Sequence, residues 1–353
     1  MALRKITFIL EDFIVGAPSQ QLIDRFLIGY SRDGEFRRIP NLEIAVWLVP
    51  AAENSTAFAD ATTGLAVRQR DFKLAQHSNL AVGLKDADAI IVVAAADRAA
   101  VSEELIQSVF EQAPAGATCF VHGSLATNLT SAQRLASLAA ARKIVVASAT
   151  SVATTFRLPD VDVATDAAFT EALIVVQGPR PMAELWAIDG LLSLLALRRG
   201  GESGIRAVRG LKGRDVWRAG DKGEWSEPLL AAAISRSNTT QGDSVRDGRT
   251  QDLAGLGLVK KLARDPRGWI IEHPDGFRSA ILVLDGVVAD INFAVRSRDG
   301  PITSAQLYRP PAPNRAEFDR LAAALEDFIT TRNAPWPIER SLFVAQFMQH
   351  VTG

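Results

Sequence analysis

The chain has 353 residues, 48% of them hydrophobic and 22% charged, a length that favours two domains over one. Its 39 basic and 40 acidic side chains leave a net charge of -1, so electrostatics give no reason to expect nucleic acid or an anionic membrane as partner. Cys119 is the one cysteine, which excludes an intrachain disulfide and a cysteine-rich metal site. No stretch approaches the roughly 20 apolar residues of a spanning helix, and residues 1–8 lack the apolar core of a secretion signal, so a soluble cytoplasmic protein is expected.

Residues 6–10 are a short apolar run, and Leu22, Ile23, Phe26 and Leu27 fall at helical spacing over 20–29, predicting strand, loop and helix with Ser19 as N-cap. A second strand is expected over 42–49 and a helix over 55–63. Residues 89–96 are nearly all apolar, as in a parallel strand buried on both faces. A helix over 102–112, a strand over 118–121, a helix opened by Thr130 and Gln133 as a capping box, and a strand over 143–147 complete the alternation. That order predicts an α/β fold, a Rossmann-like doubly wound parallel sheet over residues 1–150.

The pattern then changes. Strands are expected over 169–177 and 205–211, with a helix over 183–198 between them. Beyond a polar stretch over 236–252 come strands at 269–273, 277–284 and 287–295, joined by Pro274-Asp275-Gly276 and Asp285-Gly286 and read as an antiparallel meander. Helices over 316–330 and 338–350 follow, the last of them expected to pack back on the first domain. Residues 151–353 are thus read as an α+β domain with a largely antiparallel open sheet.

The stretch His122-Gly123-Ser124-Leu125-Ala126-Thr127-Asn128-Leu129 carries a resemblance. Leu125 to Leu129 is similar to the segment after the Glu-Lys-Pro tripeptide of the Gfo/Idh/MocA oxidoreductases, with His122-Gly123-Ser124 in place of the tripeptide. Trp186-Ala187-Ile188-Asp189 resembles that family's His-x-x-Asp, and Gly200 to Gly204 and Pro335 to Arg340 resemble its turns. The resemblance implies a degenerate dinucleotide-binding first domain, NAD(P) as cofactor, a sugar, cyclitol or similar hydroxylated ligand, and a homo- or hetero-oligomer formed through the second-domain sheet.

Each residue that the resemblance marks has two readings. The family's glycine-rich turn, which brings backbone close to a diphosphate, is here Glu11-Asp12-Phe13-Ile14-Val15-Gly16-Ala17-Pro18-Ser19, with one glycine and two carboxylates that repel such a group. Gly16 and Ser19 either hold an anion or are a turn glycine and a cap. Glu53 either binds a ribose hydroxyl or is a solvated loop carboxylate. The catalytic lysine aligns with Gly123 and the histidine with Trp186. Asp189 either orients a ligand hydroxyl or pairs with an arginine such as Arg157 or Arg180. His122 either takes over proton transfer or is structural, and Trp186 either stacks on a ring or fills the nicotinamide volume. Asn128 is a candidate ligand contact. No His/Asp/Glu spacing resembles a metal site. The functional expectations are an unconventional family enzyme, a non-catalytic binding protein or partner subunit, and a lyase or isomerase on a keto-sugar using His122 and Asp189.

Overall fold

The computed structural model describes residues 3–49, 56–161, 163–242, 244–298 and 300–353, without the side chains of 56–63, 244 and 245. In chain order the first elements are β1 (Arg4–Leu10), α1 (Pro18–Leu27), β2 (Tyr30–Arg32), β3 (Glu35–Arg37), β4 (Leu42–Leu48), α2 (Thr56–Phe72), β5 (Ala75–Gln76) and α3 (Leu80–Leu84). They continue with β6 (Ala89–Val93), α4 (Glu103–Gln112), β7 (Thr118–His122), α5 (Leu129–Ala141), β8 (Val145–Ala149), β9 (Phe156–Leu158), β10 (Phe169–Val176), α6 (Met182–Leu195), β11 (Ala207–Lys212) and α7 (Arg214–Asp221). The remainder is α8 (Glu227–Ile234), α9 (Ser244–Asp247), α10 (Val259–Leu262), β12 (Arg264–Glu272), β13 (Arg278–Asp285), β14 (Asn292–Ser297), β15 (Ile302–Tyr308), α11 (Glu317–Thr331) and α12 (Ile338–Thr352).

Two compact units result: Met1–Thr154 with Pro310–Ala345, and Thr155–Arg309 with Gln346–Gly353. The first is built on a parallel sheet of order β5-β4-β1-β6-β7-β8. The chain winds outward from β1 through β4 and then returns to β6 on the other side of β1, so the switch point where such sheets receive ligands lies between β1 and β6. Alternation in β1 explains the apolar run, which only Thr7 interrupts. Ile6, Phe8 and Leu10 enter one core with α1 and α11, whereas Ile9 enters another with Ile90, Val92, Cys119 and Val121.

Helix α11, nearly two hundred residues beyond β7, belongs to this first unit. Phe318, Leu321, Leu325 and Phe328 are buried in the core shared with β1. Polar contacts fix its orientation: Arg25 Nε lies 2.6 Å from Asp319, Arg37 2.6 Å from Glu326, and Arg32 3.0 Å from Asp327. Two of these arginines ride on the β2–β3 hairpin, which the sequence reading passed over. Asp33 and Gly34 turn it with φ of +55° and +83°, the geometry that favours Asp-Gly in a two-residue hairpin.

Two caps differ from expectation. The N-cap of α1 is Ala17, Pro18 opens the helix, and Ser19 lies inside it. The N-cap of α5 is Asn128, whose side chain accepts from the Ser131 amide at 2.8 Å, so Thr130 and Gln133 form no capping box.

The second unit holds a mixed sheet of order β11-β12-β13-β10-β14-β15-β9. The expected meander is corrected: β12 and β13 are an antiparallel hairpin, but β13 then runs parallel to β10, and β10 separates it from β14. The reason is burial, since β10, apolar on both faces, takes the sheet centre. Leu173 and Val175 point into a core with Leu229, Leu230 and Ala233 of α8, while α6 packs on β10 and β13 without joining that core and so covers the opposite face. Helices therefore lie on both faces, and the bare sheet face through which association was expected is occupied by α7 and α8.

Trp225 anchors that cover. Its indole N–H donates to the Val216 carbonyl at 2.8 Å, and a Cβ on Gly220 would lie 2.4 Å from its ring. Gly220→Ala is accordingly expected to destabilise the protein by about 1–3 kcal/mol through overpacking, although alanine is the better helix former. A lowered urea midpoint with an unchanged slope checks it.

Candidate functional site

The carboxyl ends of β1, β6 and β7 bring together most of the residues marked in the first unit. Just past β1, Glu11 and Asp12 are buried, and their carboxylates turn toward the loop that follows β6. Glu11 accepts from the Ala95 amide at 3.1 Å and the Ser102 amide at 3.3 Å, and Asp12 accepts from the Ala96 amide at 2.7 Å. Ser19 donates its hydroxyl to the other oxygen of Asp12 at 2.9 Å, and Arg98 stands 3.6 Å from Glu11. Burial raises the Asp12 pKa, against the lowering effect of the Ala96 amide and Ser19 hydroxyl. The turn's Gly16 has φ of +86°, and its N–H goes to the Gln20 side chain at 2.9 Å.

Those contacts decide the fit of a dinucleotide, the cofactor that the fold class implies. A diphosphate at this switch point needs free amides and no competing anion. Here the turn's own carboxylates hold the facing amides, and the Gly16 amide and Ser19 hydroxyl are both taken. The residues present do not fit a diphosphate bound in that turn. Glu53, the third candidate contact, falls outside the described residues.

His122 closes β7 and is buried beneath α11, its ring stacked on Phe318 with centroids 5.9 Å apart and planes at 28°. Nε2 meets no partner among the described residues. Loss of hydration dominates, and burial brings its pKa down from 6.5 to about 4, leaving the imidazole neutral. Next to it Gly123 has φ of +123°, and a Cβ there would lie 3.0 Å from the Ala99 carbonyl oxygen, while the Ser124 amide donates to that same carbonyl at 2.7 Å. A lysine at 123 would need the turn rebuilt. Asn128 spends its side-chain oxygen on the α5 cap rather than standing free for a ligand.

The remaining marked residues lie in the second unit, on α6. Asp189 is buried, and Trp186 is half-buried with the Arg309 guanidinium 4.3 Å above its ring, so one face of the indole is already covered. Arg180 donates to the Val351 carbonyl and lies over Trp269. Sequence reasoning missed a buried pair beside this helix. Arg267 reaches Glu184 at 2.9 Å and the Gly178 carbonyl at 3.0 Å, and Asp285 accepts from the Gly178 amide at 2.9 Å, which pins the turn leading into α6. An arginine on a strand and a glutamate on a distant helix give no sequence signal for such a pair. Among the described residues, no group of three or more His, Cys, Asp or Glu is placed to hold a metal ion.

No protein-family model matches the chain, and no curated protein matches it. Solved structures do. The myo-inositol dehydrogenase of Lactobacillus casei, in complex with NAD(H) and myo-inositol, aligns over 99% of this chain and 93% of its own at TM-score 0.56 and 14% identity. UDP-N-acetylglucosamine 3-dehydrogenase GnnA of Acidithiobacillus ferrooxidans aligns over 100% and 97% at 0.55 and 15%. GenD2 from gentamicin A biosynthesis, in complex with NAD, aligns over 99% and 93% at 0.58 and 13%. The protein has the two-domain fold of the Gfo/Idh/MocA dehydrogenases, as the sequence resemblance implied.

The environment of His122 makes stability depend on pH. Between pH 6.5 and about 4 the unfolded chain binds a proton that the folded chain refuses, so this contribution is intact above the window and lost as pH falls through it. His122→Phe should remove about 2–3 kcal/mol of the acid-side loss between pH 7.5 and 4.5. Guanidinium unfolding of both proteins at the two pH values measures it, with His273 unchanged in each.

Proposed function

We propose that this chain is a divergent Gfo/Idh/MocA protein that binds a sugar, cyclitol or related small hydroxylated compound without seating NAD(P) in the usual turn. The observation that carries this reading is the capture of the Ala95, Ala96 and Ser102 amides by Glu11 and Asp12. A carboxylate in such a position does for the backbone what a phosphate oxygen would do, and its negative charge, held out of water, repels a second anion. The ligand class is supported by the structures the chain resembles, which include proteins named for myo-inositol and for UDP-N-acetylglucosamine. The covered face of Trp186 and the missing lysine and histidine favour a binding or partner role over hydride transfer.

Cofactor titration tests this. The protein should show neither a thermal shift nor enhanced nicotinamide fluorescence with millimolar NAD+, NADH or their phosphorylated forms, whereas a ligand at about 100 times Kd should stabilise it by about 2.7 kcal/mol. A panel of cyclitols and nucleotide-free sugars should include such a ligand. Saturable nicotinamide binding at micromolar cofactor would overturn the reading.

One observation favours a second reading, in which the protein is a lyase or isomerase: His122 presents a neutral imidazole with Nε2 unbonded at the carboxyl end of a central strand. On that reading His122→Ala lowers turnover of a keto-sugar at least 100-fold, the low end for loss of a general base, while the far-ultraviolet spectrum stays unchanged. Equal turnover by both proteins would discard it.

A further inference from the structure

Two tryptophans in the second unit belong to no part of the site described above. Trp217 in α7 and Trp225 between α7 and α8 stand with ring centroids 6.4 Å apart and planes at 70°, and they wall a cavity of about 430 Å³. Pro228, Leu230 and Val259 continue an apolar lining to which Ala254, Gly255 and Gly257 add little bulk. The volume suits a compound of one or two rings. Trp225 is buried, its N–H spent on Val216 and its ring seated against Gly220, so it contributes a fixed aromatic wall and no donor. Trp217 is only half-buried and offers the second aromatic surface.

The rim decides the charge of the occupant. Lys260 is paired with Asp221 at 3.2 Å, so its cation is answered within the protein. Glu227 is exposed and makes no salt bridge with any other described residue. It lies in the first turn of α8, behind the Ser226 cap. An indole-lined wall beside one uncompensated carboxylate forms a chemistry that attracts an organic cation carrying a ring: the aromatic wall supplies ring contact and cation–π attraction, and the carboxylate supplies the counter-charge.

We propose that this cavity is a binding site for a small arylalkyl ammonium compound. The ring enters the cavity that Trp217 and Trp225 wall, and the ammonium group remains at the rim against Glu227. This site is independent of whether the first unit seats a dinucleotide, so the two readings stand or fall separately.

The test uses the full chain with phenethylammonium as probe and 2-phenylethanol as its uncharged counterpart, followed by tryptophan fluorescence and calorimetry. Saturable quenching by phenethylammonium is expected with Kd on the order of 1 mM. The alcohol should bind at least about threefold more weakly, as loss of an exposed ion pair and a cation–π contact implies. Glu227→Gln, a change at an exposed side chain, should cost phenethylammonium roughly threefold and leave the alcohol unaffected. Trp217→Ala should weaken both probes about tenfold or more, with an unchanged urea midpoint confirming that the cover is still folded. Absence of saturation up to about 10 mM, equal binding of amine and alcohol, or an unaltered amine affinity in Glu227→Gln would each overturn the proposal.

Discussion

Two buried carboxylates and three backbone amides set the character of the first unit. Glu11 and Asp12 follow the central strand β1, and the loop after β6 turns its Ala95, Ala96 and Ser102 amides toward them. Buried charge is tolerated only where hydrogen bonds replace the lost water, and amides left bare at a strand end carry their own penalty. Each group answers the other, so the β1 turn and the β6 loop are tied across the switch point. The doubly wound architecture is kept while the amides at its switch point are occupied from within.

The same economy appears at β7. Gly123, where the sequence resemblance aligns a lysine, is held in a left-handed conformation against the Ala99 carbonyl, and His122 beside it is folded under Phe318. That ring arrives on α11, which Arg25, Arg32 and Arg37 bind through Asp319, Asp327 and Glu326. Burial under an aromatic side chain is what holds the imidazole neutral, outweighing the opposing effect of a hydrogen bond with its own backbone. The chemistry open to His122 is therefore that of a weak base, and it follows from a helix far along the chain.

In the second unit the sheet is sandwiched. Helix α6 lies on one face, and the segment carrying α7 and α8 covers the other, with Trp225 locked into it. The helices that cover that face also form the tryptophan-walled cavity at the surface. The Arg267–Glu184 pair, with Asp285 holding Gly178, gives the turn into α6 a defined geometry beneath Trp186.

Periodicity and composition by themselves determined the parallel sheet of the first unit, its strands β1, β4, β6, β7 and β8, and the change of pattern after about residue 150, while the resemblance of short motifs pointed to the family whose fold is found. These are local or pattern-borne properties: a strand buried on both faces must be apolar throughout, and a turn glycine or a pair of carboxylates is visible as a letter. The sequence also contained the Asp33-Gly34 turn of the hairpin, which a closer reading would have found. Only the tertiary structure decided that Glu11 and Asp12 are engaged by amides over eighty residues away, that β10 enters between β13 and β14, and that His122 lies under Phe318. Such pairings depend on which distant segments share a core, and no local spacing encodes them. Asn128 and Ser19 illustrate the same limit, since whether a polar side chain caps a helix, answers a carboxylate or faces a ligand depends on where its neighbours end up in space.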